Sequence, residues 1–492
     1  MDYYKDLLNI SRELKYFFSL TSLLHWDSQT YMPIKGAPFR AQQLAFLEEK
    51  IVSIISNSHT KAVLDGIEAH ENNLDEFQLR NYHVFKKAYM RRNAVPRDLL
   101  IENKKQESIT FSVWQEAKHK NNFKLYASEL AKNVAIKQKI ASYVDPNKNP
   151  FDVYLDDFEP GFSSDKIQKI FNQLKPNILS LLQKIQNSGI VLPHSINFSM
   201  KKEIQQALVH EITKYIGYDI ERGSIDSGEH PMTIGVGNSD DVRFTVNYDQ
   251  HNYLSALFAG LHEAGHAIHE QNTDQENRYC PIDLFGSSAG ISESQSLFFE
   301  NIVGRSEAFW SYYFSKLPSS IQKIELTDFL QIINRVQLSK IRIQADELTY
   351  PLHIILRFEI EKGLLDGSNQ VNDLPIIWNE KMKEYFGLEI SNDIEGVLQD
   401  IHWATGFYGY FPTYTLGNIY NSQMYYTMKK ELDFDTLLAN GSIEPIRNWL
   451  IENVHRKTGL YDPEDFIKVI THESVNPDYF IKYLEQKFSK IY

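Results

Sequence analysis

Residues 258–271 read FAGLHEAGHAIHEQ, and the rest of the chain is organised around them. His262, Glu263 and His266 stand in the order H-E-x-x-H. On a helix, positions i and i+4 share one face a turn apart, so the two imidazoles can bind one metal ion together. Glu263 falls beside them, where it can take a proton from water at that ion. Leu254, Leu257, Phe258, Leu261 and Ile268 recur at helical spacing, burying one flank while the histidines line a cleft. Gly265 costs such a helix about 1 kcal/mol relative to Ala, which points to another group in close approach there.

A catalytic zinc site keeps three protein ligands and one open position. The residue six after His266 is Asn272 rather than a third histidine, and Glu270 lies a further turn along the same helix, poorly placed to close a tetrahedral site. Glu293, in GISESQSLFFEN, is the better candidate. It sits on the next expected helix, about 290–310, and the loop at 272–289 lets that helix fold back antiparallel. Glu276 and Glu300 are its rivals. Donors for an oxyanion are His230, Tyr408, Tyr410 and Tyr414; Arg243, Arg342 and Arg357 are candidates to grip a substrate carboxylate with a bidentate fork. Periodicity does not choose among them.

Upstream of the motif, the helical period fades at 219–248. Residues 230–234 and 242–246 read as two short strands around a turn at 237–240. An edge strand there suits an extended peptide substrate, because it can pair with the substrate backbone. Elsewhere the pattern is helical. Residues 1 to about 140 read as consecutive helices, with a break expected at 23–33 and helices at 40–55, 74–91 and 97–143. A proline-rich connection covers 144–162, and helix resumes over 164–218, 326–366, 376–386, 392–403 and the tail from 418.

Composition narrows the class. Hydrophobic residues make up 42% of the 492 and aromatics 13%, which supports a packed core rather than disorder. A net charge of -13 argues against a broad nucleic-acid surface. Cys280 is the single cysteine, so neither an intrachain disulfide nor a cysteine-rich zinc site can form, and a reducing compartment fits. The start MDYYKDLLNISRELKYFF lacks the features of a signal peptide. No stretch approaches the roughly 18 uncharged apolar residues of a spanning helix. The expectation is a cytoplasmic protein with no nucleic-acid and no membrane partner.

Several separated motifs share one pattern. They are Trp26-Asp27 with Met32-Pro33, Gly36-Ala37 and Arg40; His230-Pro231-Met232; Asp241-Val242-Arg243-Phe244-Thr245; the H-E-x-x-H itself; Ser292-Glu293-Ser294-Gln295; Ile341-Arg342-Ile343-Gln344-Ala345-Asp346; and GVLQDIHW at 396–403, followed by GFYGYFPTYTLGN at 406–418. In this order, over nearly the whole chain, they resemble the M32 metallocarboxypeptidases, the carboxypeptidase Taq group. The resemblance implies a mainly α fold of the neurolysin and angiotensin-converting-enzyme class, with a small β-sheet beside a deep substrate groove. It implies a single peptidase domain over 1–492, with a helical N-terminal part at about 1–218 and a metal-site and C-terminal helical part at about 219–492. The implied activity is removal of C-terminal residues from peptides, with broad specificity and poor action before proline. One divalent metal per chain, zinc or else cobalt, and a homodimer are implied as well.

Carried over residue by residue, the resemblance makes His262, His266 and Glu293 the metal ligands and Glu263 the catalytic base. It makes His230 and Tyr414 transition-state donors, Arg342 and His402 substrate contacts, and Arg243 a limit on the groove. Two positions depart from the family pattern. Ser292 stands where a His is usual and Met232 where a Phe is usual. Losing that His bears on a contact that orients a metal ligand, and so on metal affinity or rate. A metallo-endopeptidase of related fold and an inactive peptide-binding scaffold are the alternative readings.

Overall fold

The first helix, Tyr3–Thr30, starts where Asp2 accepts a hydrogen bond from the Lys5 N–H, satisfying one of the donors left open at a helix start. Its apolar stripe of Leu7, Ile10 and Leu14 packs on Ile51, Ile55, Val63, Leu64, Ile67, Tyr82 and Phe85 from the helices Ala37–Ile55, Ser58–Glu68 and Glu76–Ala94. The break expected at 23–33 is shorter in the molecule: the helix runs on to Thr30. The reason lies across the turn, where Arg40 donates to the Leu24 carbonyl at 2.7 Å, Ser28 Oγ at 3.1 Å and Asp27 Oδ2 at 2.6 Å. These polar residues are tied down inside a helix, and only at Pro33 does the chain turn.

The structure, a computed structural model, describes residues 2–193, 199–319 and 321–492. Contacts divide the chain into two compact units. The first comprises Met1–Arg92, Pro193–Ile333 and Tyr420–Ser474, the second Asn93–Leu192, Asn334–Ile419 and Val475–Tyr492. The fold is mainly helical with one small sheet. Among the described residues no helix is long and apolar enough to cross a membrane.

The sheet belongs to the first unit. Strands β1 (Ile225–Ser227), β2 (Met232–Gly235) and β3 (Val242–Val246) lie in the order β1-β3-β2. The two strands read from the sequence pair antiparallel; β1, too short to show a period, runs parallel to β3. Val242, Phe244 and Val246 are fully buried on the central strand. β2 is an edge strand. The bond from Val236 N–H to the Asp241 carbonyl (2.7 Å) sets the phase of the ladder, so Met232 and Ile234 bond towards β3 while Thr233 and Gly235 turn their backbone groups to the outer edge.

The helix Tyr253–Gln271 packs on this sheet with Leu257, Leu261, Ala264 and Ile268 fully buried. The close approach expected at Gly265 is that of the helix Ala289–Leu297: a Cβ at Gly265 would meet the Gln295 carbonyl oxygen and Ser296 Cα at 2.6 Å each. The stretch expected as one helix over 290–310 is in fact three pieces. After Leu297 the ladder widens to a π-helix, Phe298–Val303, and the helix Glu307–Tyr313 follows.

The helix expected over 326–366 is interrupted, and the one expected over 392–403 is not formed. Residues 334–349 separate the helices Leu326–Ile333 and Tyr350–Asp366 and carry only a 3-10 turn, Arg342–Gln344. The Asp346 carboxylate takes the N–H groups of Gln337, Leu348 and Thr349, which a helix would have used otherwise. Residues 392–402 are turns for the same reason: Asn392 accepts from the Glu395 N–H, and the Gln399 amide donates to the carbonyls of Lys340, Glu395 and Gly396. The expected helix at 97–143 is two, Arg97–His119 and Phe123–Val144, divided where Asn121 takes a positive φ. The connection at 144–162 contains a short helix, Pro150–Leu155.

Candidate metal centre

One turn of the Tyr253–Gln271 helix sets His262 and His266 side by side, their ring centroids 5.1 Å apart. Glu293 reaches them from the helix Ala289–Leu297. Its Oε1 lies 3.8 Å from His262 Nε2 and its Oε2 lies 3.5 Å from His266 Nε2. One ligand atom from each of the three falls within 4.8 Å of the others. Glu293 is only 5% exposed, so its charge is kept from water.

The other nitrogen of each ring is engaged. His262 Nδ1 is 2.8 Å from Glu300 Oε2, and His266 Nδ1 is 3.0 Å from Ser292 Oγ. A partner at Nδ1 fixes the tautomer that leaves the Nε2 lone pair for a metal. Two imidazole nitrogens and one carboxylate, with ring planes set from behind, fit a divalent ion of the zinc type. Glu300 stands on the π-helix and is braced by Arg305, whose Nη2 lies 3.3 Å from Glu300 Oε1. The Arg305 guanidinium lies 3.9 Å over the Phe258 ring and also donates to Asn301 Oδ1 and the Ile333 carbonyl.

The charges report the same arrangement. Burial works against ionising both Glu293 and Glu300, yet His262 and His266 hold the first carboxyl, and His262 with Arg305 the second, below the usual range. Burial likewise disfavours a charged His262, but Glu293, Glu300 and Glu263 outweigh it and push the imidazole up to about 10. Glu263 is 7% exposed, and its Oε2 accepts from Thr233 Oγ1 at 2.7 Å. Of the rivals for the third position, Glu300 stands behind His262 and Glu276 is exposed in the turn Gln275–Asn277. Glu270 lies against Gly235.

Arg342, His402 and Tyr414 gather in the second unit. Arg342 Nε is 3.0 Å from Asp400 Oδ1, its Nη1 donates to the Tyr350 hydroxyl at 2.8 Å, and its guanidinium faces the Tyr414 ring at 5.4 Å. Arg357 holds the other oxygen of the same carboxylate, with Nε 2.6 Å from Asp400 Oδ2, and its Nη2 donates to Gln399 Oε1 at 2.7 Å. Gln399 Oε1 also accepts the Arg342 backbone N–H at 3.0 Å. Burial opposes an ionised Asp400, but Arg357 and Arg342 hold it well below the usual carboxylate range. His402 packs against Phe411 at 4.4 Å and Tyr410 at 6.2 Å. Burial, with the two arginines, pushes it down to about 4, so it is neutral at physiological pH.

The remaining candidates have other partners. Arg243 forms a bidentate pair with Asp241, both bonds 2.7 Å. His230 is exposed just before β2, and its carbonyl accepts the Thr245 hydroxyl at 2.9 Å. The Tyr408 hydroxyl is buried against Asn133 Oδ1 at 3.2 Å. Sequence reasoning passed over Thr233 and Asp400. Strand alternation was a usable signal for Thr233, since it puts that residue on the face of β2 that meets the helix; for Asp400 the signal was its place in the GVLQDIHW motif at 396–403.

Comparison with known proteins gives one consistent result. The family model described as carboxypeptidase Taq (M32) metallopeptidase matches residues 6–488. Carboxypeptidase 1 of Bacillus subtilis is 36% identical, the match covering 100% of this chain and 99% of the relative. Thermostable carboxypeptidase 1 of Thermus thermophilus is 33% identical over 99% of both chains. The crystal structure of the M32 carboxypeptidase from Deinococcus radiodurans superposes with a TM-score of 0.95 at 29% identity, covering 100% of this chain and 99% of that one.

Proposed function

The chain belongs to the carboxypeptidase Taq (M32) metallopeptidase family, whose members are peptide hydrolases, and from that premise we propose how its residues carry out the reaction. The chain is a metallocarboxypeptidase. In our reading it releases C-terminal residues with broad specificity. The observation that carries the assignment of residues is the convergence of His262 Nε2, His266 Nε2 and Glu293, with both Nδ1 atoms engaged from behind.

His262, His266 and Glu293 would hold one divalent ion, zinc or else cobalt. When bound, such an ion supplies Lewis acidity to a peptide carbonyl and to water. Glu263 takes a proton from the attacking water at a carboxylate oxygen and then gives it to the leaving amine nitrogen as the C–N bond breaks. His230 and Tyr414 donate to the oxygen on which negative charge develops. Arg342, with neutral His402 beside it, holds the substrate's terminal carboxylate, and Arg243 limits how far the peptide extends. The outward backbone groups of Thr233 and Gly235 pair with an extended substrate. Proline lacks the N–H which that pairing uses, so action before it should be poor.

We read 1–492 as one peptidase domain, acting as a homodimer in the cytoplasm. The match across residues 6–488 supports the first, the family resemblance the second, and the single cysteine the third; the sedimentation mass tests the dimer. The decisive experiment is mass spectrometry of products from an N-blocked peptide, with metal-loaded wild type beside Glu263→Gln. Stepwise C-terminal loss that the mutation abolishes is the expected result. Internal cuts would instead make the protein an endopeptidase, and no cleavage by metal-loaded wild type would make it a scaffold.

A further inference from the structure

A strand residue reaches the proposed base. Thr233 lies on the edge strand β2, on the face turned to the Tyr253–Gln271 helix. Its Oγ1 is 2.7 Å from Glu263 Oε2 and 2.9 Å from the main-chain oxygen of the same residue. The strand is pressed close: at Gly235, two residues on and on the same face, a Cβ would collide with Glu270 Oε2. Thr233 is therefore held over Glu263 by the packing of a whole element, not by its own rotamer alone.

A threonine hydroxyl has one hydrogen to give. Facing an ionised carboxylate, it donates to Oε2, the stronger acceptor of the two within reach. That bond fixes the plane of the carboxylate and occupies one of its oxygens. Oε1 is left as the atom at which a proton arrives from water and from which it leaves for the amine. The main-chain oxygen of Glu263 gives the hydroxyl a second acceptor on the same residue, so it stays in place whichever state the carboxyl is in. We propose that Thr233 is a positioning residue for the reaction: through its hydroxyl it orients the Glu263 carboxylate so that Oε1 does the proton transfer. This rests on the reading of Glu263 as the base.

The test uses the full chain loaded with zinc, an N-blocked peptide, and three variants. Thr233→Val keeps the shape and removes the hydroxyl; Thr233→Ser keeps the hydroxyl; Glu263→Gln removes the base. Thr233→Val should lower kcat about ten- to a hundredfold, the range for losing a hydrogen bond to a charged group, with KM changed by less than about twofold. Metal content should stay at one ion per chain, and Thr233→Ser should recover kcat to within about threefold of wild type. An unchanged kcat in Thr233→Val, a loss that tracks lost metal, or equal losses in the valine and serine variants would each overturn the proposal. If Glu263→Gln is inactive while Thr233→Val is fully active, only this inference fails. If Glu263→Gln keeps its activity, the assignment of the base fails with it.

Discussion

The histidine cluster of the first unit and the arginine cluster of the second are built from similar parts and leave opposite charges behind. Around His262 and His266 stand the carboxylates of Glu263, Glu293 and Glu300, and one guanidinium, Arg305, pairs with Glu300, so two negative charges remain when the imidazoles are neutral. Around Asp400, the guanidiniums of Arg342 and Arg357 share one carboxylate, so one positive charge remains. Charge imbalance in a buried site is costly unless a ligand completes it. Each imbalance fits the proposed ligand: a divalent cation for the one cluster, a carboxylate for the other. The histidines respond accordingly. His262 is pushed up to about 10 and His402 down to about 4.

The largest effect should come from taking a ligand out of the first cluster. Glu293→Ala should strip the protein of metal on dialysis, with affinity lowered by more than the roughly hundredfold that an outer partner costs. Metal analysis of the dialysed protein checks it; a variant that kept one ion per chain would end the assignment. Next in size is the second cluster. Arg342→Ala should lower kcat/KM about a hundredfold for peptides with a free C-terminal carboxylate, and much less for the matching amides. Equal losses on both substrates would mean that the surplus positive charge is structural.

The two clusters were not equally legible. The H-E-x-x-H helix announced itself, because both histidines and the base lie within one turn and its apolar flank is periodic. Glu293 was reachable because the next helix had to fold back on the first. Even the packing neighbour behind Gly265 left a trace in a single low-propensity residue. The second cluster showed as separate motifs at 341–346 and 396–403, with nothing local to say that they meet. Arg357 and Asp400 are 43 positions apart, and nothing local tells a fully buried arginine from a solvated one. Hydrophobic period places Arg342 within a long helix; it sits in a 3-10 turn because Asp346 captures the backbone donors around it. Side chains that bond to the backbone compete with helix in a way that hydrophobic period does not register. The widening at Phe298–Val303, which carries Glu300, was invisible for a similar reason: it is set by the ladder, not by residue type.

Within the first cluster the two histidines are braced unequally, and this gives a finer test. His262 leans on a carboxylate that is itself held by Arg305, whereas His266 leans on the neutral hydroxyl of Ser292. A carboxylate partner raises the basicity of a ligating imidazole more than a hydroxyl does. Glu300→Gln should weaken metal binding towards about a hundredfold, and Ser292→Ala by about tenfold, the low end of the same range. Competition with a chelator reads both directly. The reverse order would show that the geometry at His266, rather than the charge at His262, governs retention. At this position, which departs from the family pattern, the Ser292 hydroxyl lies 3.0 Å from His266 Nδ1.

The smallest effect expected is none at all, and it separates the two regions by pH. Asp400 stays ionised far below neutrality, and His402, depressed to about 4, has already lost its proton. The surplus charge of the arginine cluster is then constant from about pH 5.5 to 8, and substrate carboxylates are ionised throughout that window. KM for a free-carboxylate peptide should stay flat there, leaving any pH dependence to kcat and so to the first cluster. The sign of a failure is fixed. If His402 kept an ordinary pKa near 6.5 and bound the carboxylate as a cation, deprotonation would weaken binding, and KM would climb as pH rose through that value. His402→Gln would then abolish the climb. A flat KM in both proteins means that the arginines alone supply the charge.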